Sequence, residues 1–209
     1  MSEPTFDEML DRWGRRGPVP AEWEGRAFTD DEFVAIDTMR FLWQAQVAEE
    51  MLDMGQLSSA LLRVGRAAAP RALVHWREKG RVSDDELREV LVDVWTMNEW
   101  PLEALDLEVW LELFVTTGFV SDRPGEERPT VPVALYRGAA QEHRAGMAWT
   151  TSRQTAEWFA ERRTKLYGEP SIVWTVEAQP FAVLATAYGR HEQEVIVYPA
   201  LVADQIRPG

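Results

Sequence analysis

Apolar positions along this chain recur with two different periods, and the change from one to the other divides it. After Thr29, the residues Ile36, Met39, Trp43, Val47, Met51 and Met54 form a stripe at helical spacing. Leu57, Leu61, Val64 and Ala68 make a second stripe, interrupted by Pro70. Leu87, Val90, Leu91, Val94 and Trp95 follow Ser83, and Leu107, Trp110, Leu111 and Phe114 follow Pro101 until Gly118 stops the run. Three segments open with a hydroxyl residue and a glutamate three positions later: Thr5 with Glu8, Thr29 with Glu32, and Ser83 with Glu86. That spacing lets hydroxyl and carboxylate satisfy the N–H groups left unpaired at a helix start. Residues 1–120 are therefore expected to form a helical bundle.

Residues 121–130 contain two prolines and a glycine without an apolar period, and read as a linker or long loop. Beyond them the period shortens to that of strands, at Val133–Arg137, Met147–Thr150, Ile172–Val176, Ala182–Leu184 and Val195–Tyr198. One amphipathic helix, about Arg153 to Arg163, is expected between the second and third strands. Thr151 or Ser152 can cap it, and Ala156, Phe159 and Ala160 supply its inner face. The pattern predicts an α+β protein, helical over 1–120 and strand-rich over 131–209.

Charge sharpens this division. The net charge is −13, yet residues 130–209 hold eight basic and eight acidic residues, so the whole excess of acid lies in the N-terminal part. Such a surface disfavours nonspecific binding of nucleic acid by that part. The chain has no cysteine, which excludes disulfides, thiolate metal sites and a cysteine nucleophile. Its three histidines, His75, His143 and His191, show no metal-ligand spacing, so no metal is expected. With no apolar run near ~20 residues and an acidic start unlike a signal peptide, the expectation is a cytoplasmic protein without membrane association.

Three segments of the strand-rich part can carry chemistry. Leu135-Tyr136-Arg137-Gly138 ends an apolar strand with a guanidinium, whose planar fork suits phosphate oxygens, beside a glycine that admits a ligand to the backbone. The same dipeptide also occurs in ordinary turns. Gly146-Met147-Ala148-Trp149-Thr150-Thr151-Ser152 brings a strand into a helix through hydroxyl residues, which can hold a ligand or merely cap the helix. His191-Glu192-Gln193-Glu194-Val195-Ile196 sets two glutamates at i and i+2, on one side if the strand begins there. Like charges so placed raise each other's proton affinity, although a polar loop entering a buried strand gives the same letters.

In this order and spacing, the three segments resemble the arginine–serine–glutamate class of mono-ADP-ribosyltransferases over about residues 131–205. That class carries an arginine on its first strand, a Ser-x-Ser/Thr strand entering a helix with Ala-x-x-Phe, and a Glu-x-Glu-Val strand followed by proline. Short phage and bacterial domains of this type often read Leu-Tyr-Arg-Gly, Ser-Trp-Thr and Glu-Val-Ile-Val. The resemblance implies a small split β-sandwich and NAD as substrate. Arg137 would hold the diphosphate and the nicotinamide-side ribose, while Glu194 would bind the ribose hydroxyl and stabilise the oxocarbenium ion. Glu192 would orient or deprotonate the acceptor. Gly138, Trp149, Thr150, Phe159 and Tyr136 would complete the NAD site, and Tyr188 would stand with Glu192 at the acceptor.

The match departs at Ala148, which stands where the class has its first serine, a brace for the catalytic glutamate. A register shifted to Thr150 and Ser152 restores two hydroxyls but misplaces Ala156 and Phe159. The resemblance implies transfer of ADP-ribose to a macromolecule, a protein arginine first and a nucleic acid second, in the role of a phage or bacterial effector or toxin. Two alternatives share the fold: a protein-binding module that has lost the chemistry, and an NAD glycohydrolase with water as acceptor. The acidic helical part could also serve as a platform for a basic protein target.

Overall fold

The structure, a computed structural model, describes residues 27–189 and 193–209. The helix start expected at Thr5 and Glu8 lies outside the described residues. The chain forms two compact units, Met1–Arg81 and Val82–Gly209.

In the first unit three helices are described: α1 (Asp30–Asp53), α2 (Leu57–Val64) and α3 (Ala69–Glu78). The Thr29 hydroxyl accepts from the Glu32 N–H while the Glu32 carboxylate accepts from the Thr29 N–H at 3.0 Å, the reciprocal cap expected there. Leu57, Leu61 and Val64 are buried on α2 as expected. Pro70 does not break a helix; it sits in the first turn of α3, where its missing N–H costs nothing. The inner face of α1 differs from the expected stripe. Phe41, Ala45 and Ala48 are buried, whereas Val47 is 37% exposed and Met54 63% exposed. Apolar residues surround α1 on several sides, so the i, i+4 rule fits more than one face, and the small alanines define the one that is covered.

The second unit begins with α4 (Asp84–Met97), α5 (Pro101–Ala104) and α6 (Leu107–Thr117). Ser83 and Glu86 cap α4 reciprocally, and the backbone and side-chain hydrogen bonds from Ser83 hold the Glu86 carboxyl below its ordinary range. Leu87, Val90, Leu91, Val94 and Trp95 are all buried. Seven strands follow: β1 (Val120–Ser121), β2 (Val133–Ala140), β3 (Ala148–Thr150), β4 (Ser171–Ala178), β5 (Val183–Ala187), β6 (Glu194–Val197) and β7 (Arg207–Pro208), with α7 (Arg153–Tyr167) between β3 and β4. Their order is β1-β5-β6-β3-β2-β4-β7, antiparallel throughout except the β1–β5 pair.

This is an α+β protein with one mixed sheet, where two separate sheets were expected. The seam that comes nearest to a division is between β2 and β3, which share the single register pair Tyr136↔Thr150. By contrast β2 pairs with β4 along its whole length, from Val133↔Ala178 to Ala140↔Ser171.

The two compact units divide after Arg81, where a boundary at residue 120 was expected, and residues 122–130 form a loop without helix or strand. Val120 and Ser121 form β1 and pair with Ala185 and Thr186. Asp122 accepts the N–H groups of Tyr188 at 2.7 Å and Gly189 at 2.8 Å, and Glu126 accepts from the Tyr188 hydroxyl at 2.7 Å. Residues 121–126 are thus tied to the sheet, despite the proline and glycine content that suggested a free connection. Helices α4 and α6 touch β5 as well, so they belong to the sheet's unit.

Candidate active site

Two short strands at the middle of the sheet, β3 and β6, carry the positions that the sequence singled out. Their register sets Thr150 opposite Glu194 on one side and opposite Tyr136 on the other, so Glu194, Thr150 and Tyr136 form one row across β6, β3 and β2. Arg137 is the next residue of β2. Tyr136 and Glu194, far apart in sequence, are thereby brought onto one face of the sheet, while alternation starts the Arg137 side chain from the opposite face.

Arg137 bridges the seam where β2 and β3 diverge. Its Nε donates to the His143 carbonyl at 3.0 Å and its Nη1 donates to the Ala148 carbonyl at 2.5 Å. The guanidinium therefore holds the β2–β3 connection against β3. Burial pushes its pKa down to about 10; the like charge of Arg163 adds to this, and the carboxylate of Glu194 opposes it.

Glu194 opens β6 and is paired through its backbone with Thr150 on one side and Ala187 on the other. Its Oε1 accepts from the indole Nε1 of Trp95, on α4, at 2.9 Å. Gln193, just before it, has φ 48°, a left-handed conformation uncommon for a residue with a side chain. The Gln193 side chain accepts from the Thr151 hydroxyl at 2.9 Å and its carbonyl accepts the Thr151 N–H at 3.3 Å, which ties the strand entry to the start of α7. Glu192 lies outside the described residues, and the strand begins at Glu194 rather than two residues earlier.

The remaining expected residues divide. Thr150 is in the row, buried, with its Oγ1 accepting the Ser152 N–H at 3.0 Å. Tyr136 is half-buried, with the guanidinium of Arg153 6.0 Å from its ring centre. Phe159 is half-buried on α7, edge-on to Trp158 at 4.9 Å. Trp149 faces the other way: it is 2% exposed, belongs to the sheet's apolar core with Leu135, Trp174 and Val195, and donates to the Gly146 carbonyl at 2.8 Å. Strand alternation explains this, since Trp149 and Thr150 must point to opposite faces. No face of the Trp149 ring is left to meet a cofactor.

Gly138 also serves a different purpose from the one expected. A Cβ there would lie 2.1 Å from the Ala156 carbonyl oxygen and 2.5 Å from the Ala160 nitrogen. The space belongs to α7, and the glycine permits helix and strand to touch. Tyr188 is engaged by the 121–126 segment, with the Arg123 guanidinium 3.4 Å above its ring. Burial and the hydrogen bond to Glu126 push its phenol pKa up.

Two residues near the site were not foreseen. Trp95 looked like one more core position in the stripe after Ser83, and nothing in its spacing distinguishes it. Arg163, near the expected end of α7, faces the rings of Trp100 and Tyr167 at 5.8 and 5.7 Å, and its Nε is buried without a hydrogen-bond partner. For metals, Glu142, His143 and Glu169 each offer one ligand atom within 4.8 Å of the others, the only such group among the described residues, and the first two are exposed. No helix among the described residues is long and apolar enough to cross a membrane. Comparison of the chain with family models, with curated proteins and with solved structures gives no match.

Proposed function

We propose that the chain is a mono-ADP-ribosyltransferase that uses NAD, with Arg137 and Glu194 as the central pair of its site. The observation that carries this reading is the row of Glu194, Thr150 and Tyr136 across β6, β3 and β2, beside which the Arg137 guanidinium is bonded to the Ala148 carbonyl of β3. A carboxylate and a guanidinium are the two charges that cleavage of NAD demands. The like charge of Arg163 lowers the Arg137 pKa, and a bound diphosphate would relieve that repulsion. Trp100 and Tyr167, beside Arg163, offer rings on which a base can stack.

In the reaction, the bond between nicotinamide and the ribose C1′ breaks and the bonding pair leaves with nicotinamide. The positive charge left on the sugar is stabilised by the Glu194 carboxylate, as carboxylates stabilise such cations in glycoside hydrolysis. An acceptor nucleophile then bonds to C1′ and gives up its proton, for which Glu192 is the candidate base. A protein arginine is the first acceptor to test and a nucleic acid the second; an effector or toxin role follows by analogy with the class.

The test is release of nicotinamide from NAD by the wild type and by Glu194→Gln, with folding matched by circular dichroism. Turnover that falls at least about 100-fold in the variant supports the reading. Free ADP-ribose as the sole product would make the protein a glycohydrolase. Absence of both turnover and NAD binding by calorimetry would overturn the enzyme and favour a protein-binding role for the same fold.

A further inference from the structure

We infer that Trp95 is a positioning residue for Glu194, supplying the hydrogen bond that the transferase class takes from the serine replaced here by Ala148. This inference rests on the transferase reading above. The backbone of Glu194 is fixed by β3 and β5, but a strand leaves the rotamer of its side chain open. Ala148 pairs with Ile196, two residues from Glu194, so its Cβ is the diagonal neighbour of the glutamate on the same face of the sheet. A methyl group there cannot hold a carboxylate. The Trp95 indole reaches the carboxylate from α4 instead, with Nε1 2.9 Å from Oε1.

The geometry suits a brace. The ring is 2% exposed and is held edge-on by Trp110, at 5.0 Å and 82°, and by Phe114, at 5.6 Å and 71°. A ring locked on two sides delivers its N–H in one direction, and an indole can only donate, so it favours the ionised carboxylate. Trp110, Trp149 and Trp174 satisfy their indole N–H groups with the backbone carbonyls of Pro101, Gly146 and Ala139. Trp95 uses its donor on the side chain at the proposed centre of the chemistry.

The full chain carrying Trp95→Phe is compared with the wild type for nicotinamide release, with kcat and KM for NAD separated and kcat expressed per folded molecule. The expected result is a kcat lower by roughly 10-fold or more with KM within about twofold, because the lost donor acts on the transition state. Adding Ala148→Ser to Trp95→Phe is expected to restore part of kcat. If Trp95→Phe does not fold, benzothienylalanine at position 95 keeps the bicyclic shape and removes only the N–H. An active wild type whose kcat is unchanged by loss of the N–H overturns this inference and leaves the transferase reading intact. A wild type that releases no nicotinamide removes the reading itself, and the inference with it.

Discussion

The guanidinium of Arg137 occupies the space in which a side chain on Gly146 would begin: a Cβ there would lie 2.4 Å from Nη2 and 2.6 Å from Cζ. Arg137 is pinned by the carbonyls of His143 and Ala148, so it cannot yield without giving up at least one of them. Gly146→Ala is therefore expected to unseat the arginine while leaving the sheet in place. Nicotinamide release should fall at least about 10-fold, with thermal stability changed by only a few degrees. Unimpaired turnover in this variant would show that the seat of Arg137 is irrelevant to activity.

Gly138 gives the opposite balance, a large effect on folding. The atoms that its Cβ would meet, the Ala156 oxygen and the Ala160 nitrogen, belong to the backbone of α7 and cannot rotate aside. Gly138→Ala must push the helix off β2 and is expected to cost about 3 kcal/mol, at the upper end for overpacking. Urea denaturation measures this directly. A cost below about 1 kcal/mol would contradict so close an approach of helix and strand.

These two glycines also show what the sequence could and could not reveal. Glycine beside Arg137 suggested a ligand approaching the backbone, and the letter alone cannot say whether the visitor is a ligand or a helix. Helix starts were legible at Thr29 and Ser83 because a capping box is a local device, complete within four residues. The placing of Tyr136 in one row with Glu194 could not be read from the letters, since the register that joins them runs through Thr150. Strands β1 and β7, two residues each, carry no period to detect. Trp95 was hidden for a different reason: core packing and bracing of a carboxylate ask for the same residue in the same stripe.

Because α4 and α6 belong to the sheet's unit, truncation should separate two boundaries sharply. A fragment of residues 82–209 keeps Trp95, Trp110 and Phe114 in their cluster and retains β1 beside β5. It is expected to unfold cooperatively. A fragment of residues 121–209 loses the three rings and half of β1, exposing the face of β5 that α4 and α6 touch. Each such aromatic removed from burial forfeits about 2–3 kcal/mol, enough together to exceed typical domain stability. Thermal melts of the two fragments check this; a cooperative transition in the shorter one would restore the boundary at 120.

Asp93, on α4 two residues before Trp95, should make the protein less stable as pH rises. Burial first, and the neighbouring Asp122 carboxylate second, raise its pKa above the ordinary 3.8. Between 3.8 and the raised value the native state binds more protons than the unfolded chain, so stability falls as pH climbs through that window. Below 3.8 both states are protonated and no penalty exists; above the raised value the penalty is complete and persists to neutral pH. Asp93→Asn removes the charge and should stabilise the protein at pH 7 but not below pH 3.8. Solvent reaches this side chain, so the gain is held to a few tenths of a kcal/mol, the scale of exposed charge interactions. Urea midpoints for the two proteins across this range measure it. Equal midpoints at pH 7 would mean that neither burial nor Asp122 disfavours the Asp93 carboxylate in the folded chain.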